Sequence, residues 1–304
     1  MPATIHRNGA PRHGQEPIMT ARLLLAPFLV LLVVTLCGPS GAGDNVQSTD
    51  AQRAEIAPLI ESLHLRELFE IVQMEGLSHA ADLEKDMFPG RGKERWPDLV
   101  RQIYDPERMT DMLADAMAAS MPEGMVEGAA AFFDSDLGQR ILTLEISARE
   151  AMLQPSVESA AQDYLAMLQD DGSPRIALLE EFVEINDLVE NNVIAALNAS
   201  YAFYTGLNAA GAFGEFRSEE EMLRELWSQE ETIRLDSGIW VMSYLAMAYQ
   251  PLSDAEIERY IAFSTSTPGR QVNSVLFSGF DVVFRVVSRE MGLAAAQFMG
   301  GSDL

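Results

Sequence analysis

Ala131-Phe132-Phe133-Asp134-Ser135-Asp136-Leu137-Gly138-Gln139-Arg140-Ile141 returns without a gap as Ala262-Phe263-Ser264-Thr265-Ser266-Thr267-Pro268-Gly269-Arg270-Gln271-Val272, 131 residues further along. Both copies lie between stretches whose apolar residues recur every three or four positions, so each reads as the corner of a helical hairpin. Aromatics at the end of one helix anchor the corner. A Ser, Thr or Asp then caps the amides of the next helix, and Gly138 or Gly269 lets the backbones approach closely. The correspondence extends backward, with Glu123 to Ala130 matching Asp254 to Ile261.

Upstream of the first corner, Ile56, Leu59, Ile60 and Leu63 mark an amphipathic helix over 50–63, and Leu68, Val72 and Leu83 mark another over 65–87. Phe88 to Trp96, with two glycines and a proline, reads as a loop. Asp105-Pro106 opens a helix, because Asp caps and Pro tolerates the first turn. A short helix from Pro122 leads into the corner, and a longer one, capped by Ser135 or Asp136, leaves it through Leu153 to a restart at Pro155. Asp170-Asp171-Gly172-Ser173-Pro174 divides the chain.

Beyond that break, the pattern predicts one long helix from Pro174 to about Ala210 and a turn at Phe213-Gly214-Glu215-Phe216. Capping boxes at Ser218–Glu221 and Ser253–Glu256 open two more helices, the first reaching Gln250. Thr267-Pro268 is expected to cap the last, from Gly269 to about Met299. No stretch sustains two-residue alternation. The expected fold is all-α, with about nine helices. It consists of two related helical-hairpin halves, 51–170 and 174–304, around a long central helix pair.

The stretch Phe132 to Arg140 resembles the signature of an uncharacterised bacterial family, domain of unknown function 2059 (DUF2059): an aromatic pair, a serine, a glycine, then glutamine and a basic residue. That signature usually has Pro after the Ser. Asp136 stands there in the first copy, and the second copy carries its proline one place later, at Pro268. The resemblance covers the two hairpins and implies an exported helical protein of Gram-negative bacteria. It carries over no catalytic residue.

Charge and cysteine usage narrow the function classes. Lys and Arg total 21 against 46 acids, a formal charge of −25. Such a field argues against nucleic-acid partners and against docking on anionic lipid through bulk charge. Leu23 to Leu36 is an apolar run preceded by Arg22, and its 14 residues fall short of a bilayer span, which needs about 20. Ser40-Gly41-Ala42 follows, so 1–42 reads as a cleavable signal peptide, with Met19 as an alternative start of translation. The expected location is the periplasm; the alternative is a membrane anchor made by the uncleaved leader. No transmembrane span is expected in the mature chain, and residues 43–50 are expected to be a disordered linker. Removing 1–42 takes three basic residues and one acid, leaving 18 against 45 and a charge of −27. It also removes Cys37, so disulfides, zinc–thiolate sites and cysteine nucleophiles are not expected. Two histidines remain, His64 and His79, and neither a metal nor another cofactor is expected. Glu61 with His64 has di-iron spacing without the second copy such a site requires. Glu75 and His79, one turn apart, read as a surface pair.

Two constellations stand out as candidate sites. Asn186 and Glu190 interrupt an apolar face of the predicted 174–210 helix, and Glu230 interrupts that of the next, with Arg234 beside it. In an antiparallel hairpin these four would form a partly buried polar cluster. It would serve as a register-fixing network or, with Glu190 and Glu230 as acid and base, as the centre of a carboxylate-dependent hydrolase. The second constellation is the basic loop Arg91, Lys93, Arg95 and Trp96, a candidate site for an anionic partner. The chain contains no recognised catalytic motif. The leading expectation is a non-enzymatic binding or interaction module of the cell envelope, its partner an unknown periplasmic protein or small molecule.

Overall fold

The computed structural model describes residues 50–122, 124–212 and 218–300. The signal peptide, nearly all of the 43–50 linker and the Phe213–Phe216 turn lie outside the described residues. Among those described, all regular structure is helical. The first seven helices are α1 (Asp50–Ser62), α2 (Leu65–Met87), α3 (Arg95–Ile103), α4 (Pro106–Ser120), α5 (Met125–Phe133), α6 (Asp136–Met152) and α7 (Pro155–Asp170). The chain continues as α8 (Pro174–Ile185), α9 (Leu188–Ala209), α10 (Glu219–Trp227), α11 (Glu230–Ala248), α12 (Asp254–Ser264) and α13 (Thr267–Met299).

The all-α expectation holds, but the described residues form thirteen helices rather than about nine. The predicted 174–210 helix breaks at Asn186-Asp187, where Asp187 sits in the left-handed region at φ 45°. Aspartate tolerates that conformation because its short carboxyl can bond locally. The 218–250 pattern breaks at Ser228-Gln229. Each break spans only two residues, so the apolar period resumes almost in phase and conceals it. Helix α3 is a further addition, hidden in the sequence because it starts inside the glycine-rich stretch.

Two apolar cores form. One is built from α1 to α5, α10, the C-terminal part of α9 and α13, around Phe69, Trp96, Leu113, Phe203 and Phe284. The other is built from α6, α7, α8, α11 and α12, around Ile141, Phe182, Leu245, Tyr249 and Tyr260. Each core draws helices from both sides of the 170–174 break. Phe132 and Phe263, the matched aromatics of the two corners, pack against both cores and stack on each other, with centroids 3.9 Å apart and planes 5° from parallel.

The corners are built alike. Ser135 Oγ accepts from Gly138 N and donates to Phe132 O; Ser266 Oγ accepts from Gly269 N and donates to Phe263 O. The cap of the last helix is therefore Ser266 rather than Thr267. A Cβ on Gly138 would lie 2.2 Å from Phe132 O, and one on Gly269 would lie 2.0 Å from Phe263 O, so both positions require glycine. The remaining signature residues tie the first corner to distant turns. Gln139 Nε2 donates to Ser62 O and its Oε1 meets His64 Nε2, while Arg140 binds Glu256 and Pro251 O.

The dominant helix pair is α9 with α13, rather than the two helices following the 170–174 break. Its closeness comes from reciprocal glycines. A Cβ on Gly206 would lie 2.2 Å from Arg289 O, and one on Gly292 would lie 2.1 Å from Phe203 O. Gly292→Ala is expected to lower stability by about 2 kcal/mol, because the forced separation outweighs the gain in helix propensity. Gly238→Ala, where an added Cβ meets nothing within 4 Å, should raise stability slightly. Urea denaturation of both variants checks this; equal midpoints would sink the close-packing explanation.

Candidate functional site

Three of the four residues of the predicted polar cluster meet. Glu190 lies in the first turn of α9, Glu230 opens α11 and Arg234 follows one turn later. The Arg234 guanidinium binds Glu190 Oε2 at 2.5 Å and Glu230 Oε1 at 2.6 and 2.8 Å. These hydrogen bonds, the one to Glu190 first, hold Arg234 still more firmly protonated than usual. All three side chains are half-exposed. Asn186 does not join them. It is fully buried beside the α8–α9 break, and neither polar atom of its side chain has a hydrogen-bond partner. Two carboxylates sharing one guanidinium form an ion-pair staple between α9 and α11, and neither is left as an unpaired acid or base.

The basic loop also divides. Trp96 is 1% exposed, donates Nε1–H to Ala80 O at 2.8 Å, and packs edge-on against Phe88 and Phe298. It anchors α3 in the core and offers no face to a ligand. Arg91 donates to Met299 O at the end of α13, and Arg95 opens α3. Lys93, in the left-handed region at φ 47°, is exposed. The loop therefore presents three cations without the expected aromatic platform.

A buried polar centre lies elsewhere. The inner stripe of α6 runs Ile141, Leu142, Glu145, Ala148, Arg149 and Met152. Glu145 is 6% exposed and accepts from Tyr249 Oη at 2.5 Å, while Tyr244 Oη donates to its backbone carbonyl. Burial pushes the Glu145 carboxyl up to about 8, against the opposing pull of the Tyr249 hydrogen bond. Arg149, 4% exposed, forms a bidentate pair with Glu75 at 2.8 and 2.9 Å. Glu75 and His79 are thus not a surface pair. The carboxylate turns inward to Arg149, and burial lowers the pKa of His79, whose Nδ1 meets Glu75 O. An acid and a base one turn apart in an apolar stripe are the mark of this centre in the sequence. Its enclosure by Tyr244 and Tyr249 keeps a substrate from the carboxyl and makes it a structural element.

The outer side of α10 and α11 carries the opposite anomaly. Leu223, Trp227, Leu235 and Ile239 are 37, 65, 63 and 54% exposed. Their positions, with Glu231 between them, recur every four residues across the α10–α11 break. Leu223 and Trp227 lie one turn apart on α10, and Leu235 and Ile239 lie one turn apart on α11, so each pair shares a side of its own helix. The opposite side of α11 packs on α6, α7, α8 and α9. A cleft of about 600 Å³ between α1, α2 and α4 is lined by Ile56, Ile60 and Leu65, with Arg53, paired to Asp111, at its edge.

Among the described residues, no three His, Cys, Asp or Glu side chains come together in a group able to hold a metal, and no helix is long and apolar enough to cross a membrane. No curated protein and no solved structure matches this chain. Residues 107–166, which run from α4 to α7 and contain the first corner, Glu145 and Arg149, match the family described as "Uncharacterized protein conserved in bacteria (DUF2059)", so the resemblance read from Phe132 to Arg140 holds for that segment.

Proposed function

We propose that this chain is a non-enzymatic binding module of the bacterial cell envelope, released into the periplasm once residues 1–42 are removed. The leader's basic-then-apolar composition and the small residues Ser40-Gly41-Ala42 after it support the location. One observation carries the activity: four large apolar side chains stand exposed on the consecutive helices α10 and α11, where a monomer without a partner would expose polar groups. The same region speaks against the hydrolase reading, because Glu190 and Glu230 are both committed to Arg234.

The test is affinity capture from periplasm by the exported protein and by its Leu235→Ser/Ile239→Ser variant. The expected result is a mature N-terminus at Gly43 and a partner held by the parent and lost from the variant. Equal capture by both proteins would remove the assignment of binding to this face. Retention of the leader would remove the periplasmic part.

A further inference from the structure

On α11, Leu235 and Ile239 stand exposed one turn apart with Glu231 one turn before them, a short four-residue row of the kind that forms a ridge for the groove of a second helix. We infer that this ridge docks a cationic amphipathic helix of another protein; the inference rests on the binding-module reading and names the chemistry of its partner. The apolar members Leu235 and Ile239 supply the contact, and Trp227 stands exposed on the preceding helix.

Charge selects the partner's sign. The two arginines beside the ridge are already neutralised, Arg224 by Glu220 and Arg234 by Glu190 and Glu230. Glu231 and Asp236 border this row on α11 and, among the described residues, enter no ion pair. The ridge is therefore an apolar strip edged with uncompensated carboxylates on a chain of net charge −25. A partner helix with lysines or arginines flanking its apolar face answers both features. A second copy of this chain would bring Glu231 and Asp236 against acids of its own kind, and an anionic bilayer would be repelled in the same way.

Trp227 is also the reporter. The chain has three tryptophans, and the other two, Trp96 and Trp240, are buried. The experiment titrates the leader-free protein with an 18-residue amphipathic peptide of leucine and lysine, followed by tryptophan emission and calorimetry. Parallel arms use the same peptide with glutamate for lysine, and vesicles of phosphatidylethanolamine and phosphatidylglycerol. The expected result is a blue-shifted emission and salt-sensitive binding to the lysine peptide alone. Leu235→Ser/Ile239→Ser should weaken that binding at least tenfold, and Glu231→Lys/Asp236→Lys should weaken it while admitting the glutamate peptide. These side chains are exposed, and circular dichroism of each variant confirms an intact fold. Equal binding of both peptides, lysine-peptide binding unchanged in the serine variant, vesicle binding, or self-association through the ridge would each overturn the inference. If the serine variant loses its periplasmic partner while the lysine peptide fails to bind the parent, the cationic-helix inference alone falls. If capture is also unchanged in that variant, the binding-face reading falls with it.

Discussion

Glu75→Gln is expected to destabilise the protein by about 3 kcal/mol or more, the range found when one member of a buried ion pair is removed. Arg149 is the reason. Its guanidinium is 4% exposed, it remains charged at every accessible pH, and both oxygens of Glu75 hold it. Glutamine is nearly the same size and can accept one of those hydrogen bonds, so the loss measures the missing charge rather than a cavity. Urea denaturation at neutral pH gives the difference directly. Arg149→Met in the Glu75→Gln background should recover much of it, since an apolar chain of similar length leaves no charge to compensate. Arg66→Ala, which breaks an exposed pair with Glu70 on the same helix, should leave the midpoint unchanged. A loss for Glu75→Gln no larger than that of Arg66→Ala would show that water reaches Arg149.

Glu145→Gln is expected to abolish a pH dependence that the parent protein carries. The folded Glu145 keeps its proton up to about pH 8, whereas the unfolded chain releases it near the ordinary value of 4.5. Between those values the folded state binds the extra proton, so stability falls as pH rises. This contribution is fully present below pH 4.5 and is lost as pH climbs through 8, with a slope of about 1.4 kcal/mol per pH unit. The substituted glutamine is neutral throughout, and its amide oxygen can still accept from Tyr249. The variant should match the parent near pH 4.5 and exceed it by several kcal/mol near pH 8. Denaturation of both proteins at pH 4.5, 6 and 8 isolates this contribution, because the other carboxylates titrate identically in each. Parallel curves would mean that the Glu145 carboxyl ionises freely in the fold.

Much of the local structure was legible. Both capping boxes close as the Ser-x-x-Glu spacing predicts, with Glu221 and Glu256 accepting from the backbone amides of Ser218 and Ser253. Asp105 caps α4 by accepting from Arg108 N at 2.8 Å. Each of these interactions closes within one turn, so the residues that decide it are neighbours in sequence. The breaks at Asn186-Asp187 and Ser228-Gln229 were not legible. They leave the apolar period intact, and no glycine or proline marks them.

The candidate sites show the limit more sharply. Glu190, Glu230 and Glu145 each interrupt an apolar stripe, and the stripes alone do not distinguish them. Glu190 and Glu230 emerge half-exposed around Arg234, whereas Glu145 is sealed beneath tyrosines. Trp96 belongs to a glycine-rich basic stretch that suggests availability, yet its indole reaches back into the core to Ala80.

The helical class, the caps, the twin corners with their obligatory glycines and the acidic charge all follow from the order of residues along the chain. Which charges are buried, and which apolar residues stay outside, is settled by long-range packing. The reason is separation along the chain. A cap is settled by residues three apart, but Arg149 meets Glu75 across 74 positions and Glu145 meets Tyr249 across 104. The exposed apolar side chains of α10 and α11 are likewise defined by what the rest of the described chain leaves uncovered. Helical periodicity can place Leu235 and Ile239 on one side of α11; only packing shows that nothing in the described chain lies over them.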